Sequence, residues 1–134
     1  RGFVCATDNG RKEPDIREGH AVSENTPMAV MLTRKWAYQA IMAKDGYFLD
    51  EGFFHYASDC DLALRMAACG IHGVQLDIPY YHYGSASLKL SKQRRAMEIQ
   101  ADADRAYFER KWGFKVDSRE YGQIAADPNW SVAR

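Results

Sequence analysis

The chain has 134 residues, which is about one domain, and 46% of them are hydrophobic, enough for a modest buried core. Eighteen basic and 18 acidic side chains give a formal charge of zero, which argues against a protein whose main partner is nucleic acid. The sequence has no apolar run near the roughly 18 residues of a membrane span. We therefore expect no membrane span. We also expect a cytoplasmic location, either free or peripheral at the cytoplasmic face of the membrane.

The first predicted elements are a loop, a strand and a helix. Turn formers and charged residues dominate residues 7–27, which predicts a long loop. The apolar run 28–33 follows a proline and predicts a short buried strand. Apolar residues at near-helical spacing predict a helix over 34–44, and Gly46 suits the left-handed residue that ends such a helix.

A second helix is predicted over residues 58–69. Leu62, Met66 and Cys69 recur at helical spacing, and a glycine follows at position 70. Ser58 or Asp59 is the expected N-cap.

The rest of the chain predicts one strand, one long helix and a tail. Residues 74–78 alternate apolar and polar side chains, as a half-buried strand does. Residues 89–113 form the longest helical pattern, with one polar and one apolar stripe. Tyr121 and Trp130 are candidate anchors for the tail. We expect a single α/β domain over 1–134, divided into a loop-rich start (1–26), a core (27–113) and a tail (114–134).

The three cysteines predict neither a disulfide framework nor a zinc site. Cys5, Cys60 and Cys69 are odd in number and lack metal-ligand spacing. Buried thiols in a reducing compartment are the better interpretation.

Two aspartates at the start of the second helix carry the most specific chemistry. Asp59 and Asp61 are ordinary capping residues in isolation, since the helix dipole favours carboxylates there. Arg65 lies four residues after Asp61 and is expected to pair with it. This pairing leaves Asp59 freer to act as a base or an acceptor.

The aromatic run 47–56 precedes that helix and contains Asp50 and Glu51. The phenylalanines could be core residues with the acids facing solvent. Alternatively, the run forms a pocket wall whose carboxylates face sugar hydroxyls. The sequence alone does not favour either alternative.

His82 opens the run His82-Tyr-Gly-Ser-Ala-Ser87. On its own it is a satisfied structural histidine or a ligand of metal or phosphate. With Ser85 and Ser87 beside Gly84, this loop could present an imidazole, hydroxyls and backbone amides to an anionic group.

Taken in order, these motifs resemble the acceptor-side half of the GT-A glycosyltransferases, especially inverting family 2. The resemblance rests on Gly-x-Phe-x-(Asp/Glu)-x-x-Phe from Gly46, Ser-Asp-x-Asp-Leu-x-x-Arg from Ser58, and the run that His82 opens. It covers about 27–113 and implies a GT-A-like mixed sheet with packing helices. It also implies that Asp59 is the base that deprotonates the acceptor hydroxyl. Ser58 stands where the family usually has glutamate.

The resemblance also implies roles for other side chains. Asp50, Glu51, Asp61 and Arg65 would contact the acceptor. His82 would lie near a metal and the donor diphosphate, and Ser85, Ser87 and Lys89 match the donor-binding loop loosely.

The implied partners are a nucleotide-sugar donor and a carbohydrate or glycoconjugate acceptor, as in polysaccharide biosynthesis. The implied cofactor is Mn or Mg, held mainly by a donor half with an Asp-x-Asp that has no counterpart here. We therefore expect the chain to be an incomplete, C-terminal portion of such an enzyme. Association between copies of the chain is left as an open alternative.

Two other classes of function remain open. The chain could be a non-catalytic fragment or binding module that lacks the donor half. It could also be a metal-dependent hydrolase that uses Asp59, Asp61 and His82 as ligands.

Overall fold

The structure is a computed structural model that describes residues 3–6, 21–22, 31–71, 73–76, 92–116 and 118–126. Within these ranges it is an α/β arrangement in which helices dominate. The strands are β1 (Phe3–Ala6), β2 (Ala21–Val22), β3 (Met31–Thr33) and β4 (Gly73–Leu76), and the helices are α1 (Lys35–Asp45), α2 (Ser58–Ala67), α3 (Arg94–Trp112) and α4 (Arg119–Ala126).

The strands form one mixed sheet in the order β2-β4-β1-β3. Strand β1 runs parallel to β4 and antiparallel to β3, with Val4 opposite both Val74 and Leu32. Strand β2 pairs antiparallel with β4. This confirms the α/β class in its coarse form. The predicted loop over 7–27 is wrong at Ala21–Val22, because those two residues are extended by pairing with β4.

Helix α1 confirms the sequence pattern closely. It ends at Gly46, whose φ of 80° is left-handed and whose N–H donates to the carbonyl oxygen of Met42. Ala37 and Ile41 are its buried residues. The strand before it is less buried than predicted, since Leu32 is 65% exposed.

Helix α2 is the centre of the described structure. Seven of its ten residues are buried, so side chains on almost every face contact the rest of the protein. Its N-cap is Ala57, in a left-handed conformation with φ of 60° and no side-chain cap. The prediction of Ser58 or Asp59 as the N-cap is therefore wrong by one or two residues, because the chain turns into the helix through the backbone of Ala57.

Two apolar clusters lie on different sides of α2. The first joins it to α1 and is built from Ala37, Ile41, Leu62, Met66 and Ile71. The second joins it to α3 and α4 and is built from Phe53, Cys60, Leu64, Phe108 and Tyr121.

Helix α3 has the two predicted stripes. Its polar stripe is exposed at Glu98, Asp102, Arg105 and Glu109, and Ala101 and Phe108 of the apolar stripe are buried. The helix ends at Gly113, whose φ is 81°. Asp104 lies within the apolar stripe and is only 1% exposed, which sequence periodicity does not explain.

The tail contains a helix that the sequence pattern did not predict. Tyr121 of α4 is buried and its ring centroid lies 6.0 Å from that of Phe108. It is an anchor, as predicted, whereas Trp130 lies outside the described residues. None of the helices in the described ranges has the length and apolar character required to cross a bilayer.

Candidate functional site

The segment between α1 and α2 is held by one carboxylate of α3. The backbone N–H of Phe54 donates to Oδ1 of Asp104 at 3.0 Å, and those of His55 and Tyr56 donate to Oδ2 at 2.9 and 2.7 Å. Gln100 donates to the same carboxylate at 3.2 Å. Burial alone would raise the pKa of Asp104, but the hydrogen bonds outweigh it and lower the pKa. An ionised carboxylate therefore fixes three consecutive peptide groups just before α2.

Asp50 is fixed in the same segment. Its Oδ1 accepts the N–H of Gly52 at 2.8 Å, and its Oδ2 accepts the hydroxyl of Tyr107 at 3.2 Å and Nζ of Lys111 at 2.5 Å. Burial tends to raise the pKa of Asp50, but the bond from Lys111 leads the contributions that lower it overall. Asp50 thus faces the protein, in contrast to both of its sequence interpretations, while Glu51 is exposed.

Asp61 is the most completely engaged acid of the site. It is fully buried, and its Oδ2 accepts Nε of Arg65 at 2.8 Å, which confirms the predicted ion pair. Its Oδ1 accepts Nε1 of Trp112 at 2.9 Å and lies 2.7 Å from Nζ of Lys111. Both oxygens are therefore occupied by groups of the protein itself.

Arg65 connects α2 to the end of α1. Its Nη1 donates to Asp45 at 3.0 Å and to the carbonyl oxygen of Tyr47 at 3.1 Å, and its Nη2 donates to the carbonyl oxygen of Phe48. The guanidinium also lies 4.6 Å from the ring centroid of Tyr47. Arg65 and Asp61, both predicted to bind the acceptor, instead have their polar groups engaged inside the protein.

Lys111 joins two of the acids. Burial alone would lower its pKa, but the hydrogen bonds to Asp50 and Asp61 raise the pKa to about 12. The ammonium is therefore charged at any physiological pH. Lys111 and Arg65 together neutralise carboxylates from α1, from the connecting segment and from α2, which holds these three parts together.

Asp59 differs from these acids. It lies in the first turn of α2 and is half-buried, and its Oδ1 accepts the N–H of Cys60 at 2.9 Å. Within the described ranges no Lys, Arg or His side chain forms an ion pair with it. The pKa of Tyr121 is raised by three causes, of which burial is the largest, Cys60 the second and the negative charge of Asp59 the third. Asp59 is thus a partly accessible carboxylate, whereas Asp61 in the same helical turn is fully buried.

The structure does not bring all the predicted site residues together. His82, Ser85, Ser87 and Lys89 lie outside the described residues. Among the described residues no group of three His, Cys, Asp or Glu side chains could hold a metal ion. The thiol of Cys60 is buried, as predicted, whereas that of Cys69 is half-buried, and nothing is described of the side chain of Cys5. The part of the chain that the structure describes thus does not fit a Mn or Mg ion.

A cavity of about 340 Å³ lies elsewhere, beside the exposed stripe of α3. Arg105, Glu109 and Lys115 are among its lining residues, and no predicted site residue is. It is therefore separate from the site around Asp59.

Sequence reasoning missed four residues that build the site. All four lie in the second half of α3 and contact residues about 50 positions earlier in the chain: Asp104, Tyr107, Lys111 and Trp112. Only Asp104 left a signal in the sequence, as an acid between Ala101 and Phe108 in the apolar stripe.

No family model matches the chain, and neither a curated protein nor a solved structure is found to be similar to it.

Proposed function

We propose that the chain is the acceptor side of an inverting, family 2-like glycosyltransferase of the GT-A class, and that Asp59 is its general base. The enzyme transfers a sugar from a nucleotide-diphospho-sugar to a hydroxyl group of a carbohydrate or glycoconjugate. The observation that carries the proposal is the contrast between two acids of one helical turn. Asp61 is sealed by two cations and an indole, whereas Asp59 is partly accessible and has no cationic partner in the described ranges.

A general base must be able to take up a proton, and the two acids differ in this respect. A carboxylate bound tightly by cations has little tendency to take up a proton, because ionisation is favoured by the nearby positive charge. Asp59 lacks such a partner among the described residues, and its helix turn is fixed by the buried contacts of Asp61. A fixed position and an available lone pair are the two properties that general base catalysis demands.

The reaction step is a single displacement. The acceptor oxygen forms a bond to the anomeric carbon of the donor while its proton moves to an oxygen of Asp59. The bond from that carbon to the diphosphate breaks, and its electron pair leaves with the nucleoside diphosphate. Attack from the opposite face inverts the configuration at the anomeric carbon.

The remaining residues of the site position Asp59. Asp104 fixes the peptide groups of residues 54–56, and the ion pairs of Lys111 and Arg65 fix the segment against α2 and α3. In this class of enzyme a divalent ion stabilises the departing diphosphate. The described residues do not supply its ligands.

Neither alternative function gains an observation in its favour. A hydrolase with Asp61 as a metal ligand would have to displace Lys111 or Arg65 from that carboxylate, since both oxygens are occupied. A non-catalytic binding module uses no base, and it predicts that no nucleoside diphosphate is released.

The experiment uses the full-length polypeptide that carries this sequence. It is incubated with a panel of nucleotide sugars and oligosaccharide acceptors, the release of nucleoside diphosphate is followed, and the product linkage is determined by NMR. We expect transfer with an inverted anomeric centre from at least one donor. A folded protein that releases no nucleoside diphosphate from any donor, or a product with retained configuration, contradicts the proposal.

A further inference from the structure

We infer that Phe54 is the stacking surface of a carbohydrate-binding subsite, on which a ring of the acceptor lies while its hydroxyl meets Asp59. This inference rests on the proposed function and specifies where the acceptor binds. The subsite consists of the Phe54 ring and the segment 54–56 that presents it.

The first observation is the exposure of Phe54. Phe54 is 75% exposed, more than any other large hydrophobic residue in the described ranges. Its neighbour Phe53 is buried in the second apolar cluster and packs edge-on against Tyr107, with ring centroids 4.8 Å apart. The core is therefore filled without Phe54, whose ring stabilises no described part of the fold.

The second observation is that this exposed ring is carried by a fixed backbone. The N–H of Phe54 donates to buried Asp104 at 3.0 Å, and the next two peptide groups donate to the same carboxylate. The rings of His55 and Tyr56 pack edge-on with their centroids 4.9 Å apart, and the guanidinium of Arg105 lies 5.7 Å from the centroid of the Tyr56 ring. Few backbone degrees of freedom remain to be lost when a ligand binds, which favours affinity.

The third observation is position along the chain. Asp59 lies five positions after Phe54, and an extended chain over five positions reaches at most about 17 Å. The left-handed turn at Ala57 shortens that path. The two residues are therefore close enough for one oligosaccharide of about three rings to span the distance between them.

The chemistry of the ring suits a sugar better than an ion. An aromatic face is electron-rich and apolar, and it attracts the weakly positive C–H groups on one face of a pyranose. The hydroxyls of that sugar remain free to bond to polar groups, and Glu51 and His55 are exposed in the same part of the chain. A protein partner would instead need a larger apolar patch than one ring.

The test measures binding without requiring turnover. The chain and its variants are applied to an array of immobilised oligosaccharides with hexose, deoxyhexose and N-acetylhexosamine termini, and the affinity for each retained glycan is measured. We expect Phe54→Ala to weaken binding about tenfold, as the loss of one aromatic contact does. Phe54→Trp should keep affinity within about threefold, since it keeps an aromatic face. Ile99→Ala, at a position 64% exposed on α3, is the matched control and should bind as the wild type does.

Three results overturn the inference: wild-type affinity in Phe54→Ala, no glycan retained by the wild-type chain, or a change of oligomeric state in Phe54→Ala by size-exclusion chromatography. The last would identify the ring as a contact between copies of the chain. The failure of the proposed function is distinguishable. Glycan binding that depends on Phe54, with no sugar transfer by the full-length polypeptide, would leave the subsite standing and remove the transferase.

Discussion

Lys111 and Asp61 form an ion pair of 2.7 Å between α3 and α2, and the carboxylate is fully buried. The same carboxylate also accepts hydrogen bonds from Arg65 and from the indole of Trp112. The pair therefore fixes the helix that carries Asp59 against the long helix α3.

Asp61→Asn should destabilise the protein strongly, because it leaves the buried Arg65 and the half-buried Lys111 without the carboxylate that they share. Removing one member of a buried pair costs about 3–5 kcal/mol, and urea denaturation measures this loss in the free energy of unfolding. Glu98→Gln is the control, since Glu98 pairs with Arg94 on the surface and such pairs contribute about 1 kcal/mol at most. A similar small loss in both variants would refute the structural role of Asp61.

Asp104→Asn should loosen the segment before α2 while leaving the helices intact. The amide has the size of the carboxylate but loses its charge and one acceptor oxygen, so the N–H groups of residues 54–56 bind less strongly. Hydrogen exchange should accelerate at those three amides and stay unchanged in α1. Asp102→Asn, on the exposed stripe of the same helix, should leave all exchange rates as they are. Equal protection of residues 54–56 in both variants would show that Asp104 does not hold the segment.

Gly52→Ala should be destabilising because of a close contact rather than backbone strain. A methyl group at position 52 would lie 2.4 Å from Cζ of Tyr107, whose ring is held by Asp50 and Phe53. Overpacking of this kind costs about 1–3 kcal/mol, measurable as a lower Tm. Gly122→Ala has open space around the new methyl group and should stabilise α4 by up to about 1 kcal/mol. An unchanged Tm for Gly52→Ala would mean that the segment does not pack on Tyr107.

Stability should fall at both ends of the pH range. The pKa values of Asp50 and Asp104 are lowered from 3.8 in the folded state, so their contribution is present above pH 3.8 and is lost as the pH falls through the folded values. The pKa of Lys111 is raised from 10.5 to about 12, so its contribution is complete below pH 10.5 and is lost as the pH rises toward 12.

Urea titrations across the pH range measure both losses. In Lys111→Met the decline between pH 10.5 and 12 should be smaller than in the wild type, because the titrating ammonium is gone. The same alkaline decline in both proteins would contradict the assignment to Lys111.

The sequence predicted what depends on local pattern. Helices α1, α2 and α3 follow from apolar spacing, and Gly46 and Gly113 end α1 and α3 in left-handed conformations. Strand β2 escaped prediction, because two residues become a strand only through a partner far along the chain.

The candidate site was predicted only in part, for the same reason. The pair Asp61–Arg65 is local, at i and i+4, and was predicted correctly. Asp50 and Asp61 also pair with Lys111 of α3, which is distant in sequence, and no periodicity in the sequence predicts these pairs. Phe53 is buried and its neighbour Phe54 is exposed, a difference between two adjacent identical side chains that the sequence pattern does not predict.

The most direct measurement is the kcat of sugar transfer by Asp59→Asn in the full-length polypeptide, with Asp102→Asn as the control and Tm recorded for both. The account predicts a kcat at least about 100-fold below wild type for Asp59→Asn, as expected for the loss of a general base, with Tm unchanged and the control fully active. A kcat for Asp59→Asn within about threefold of wild type would contradict the role of Asp59.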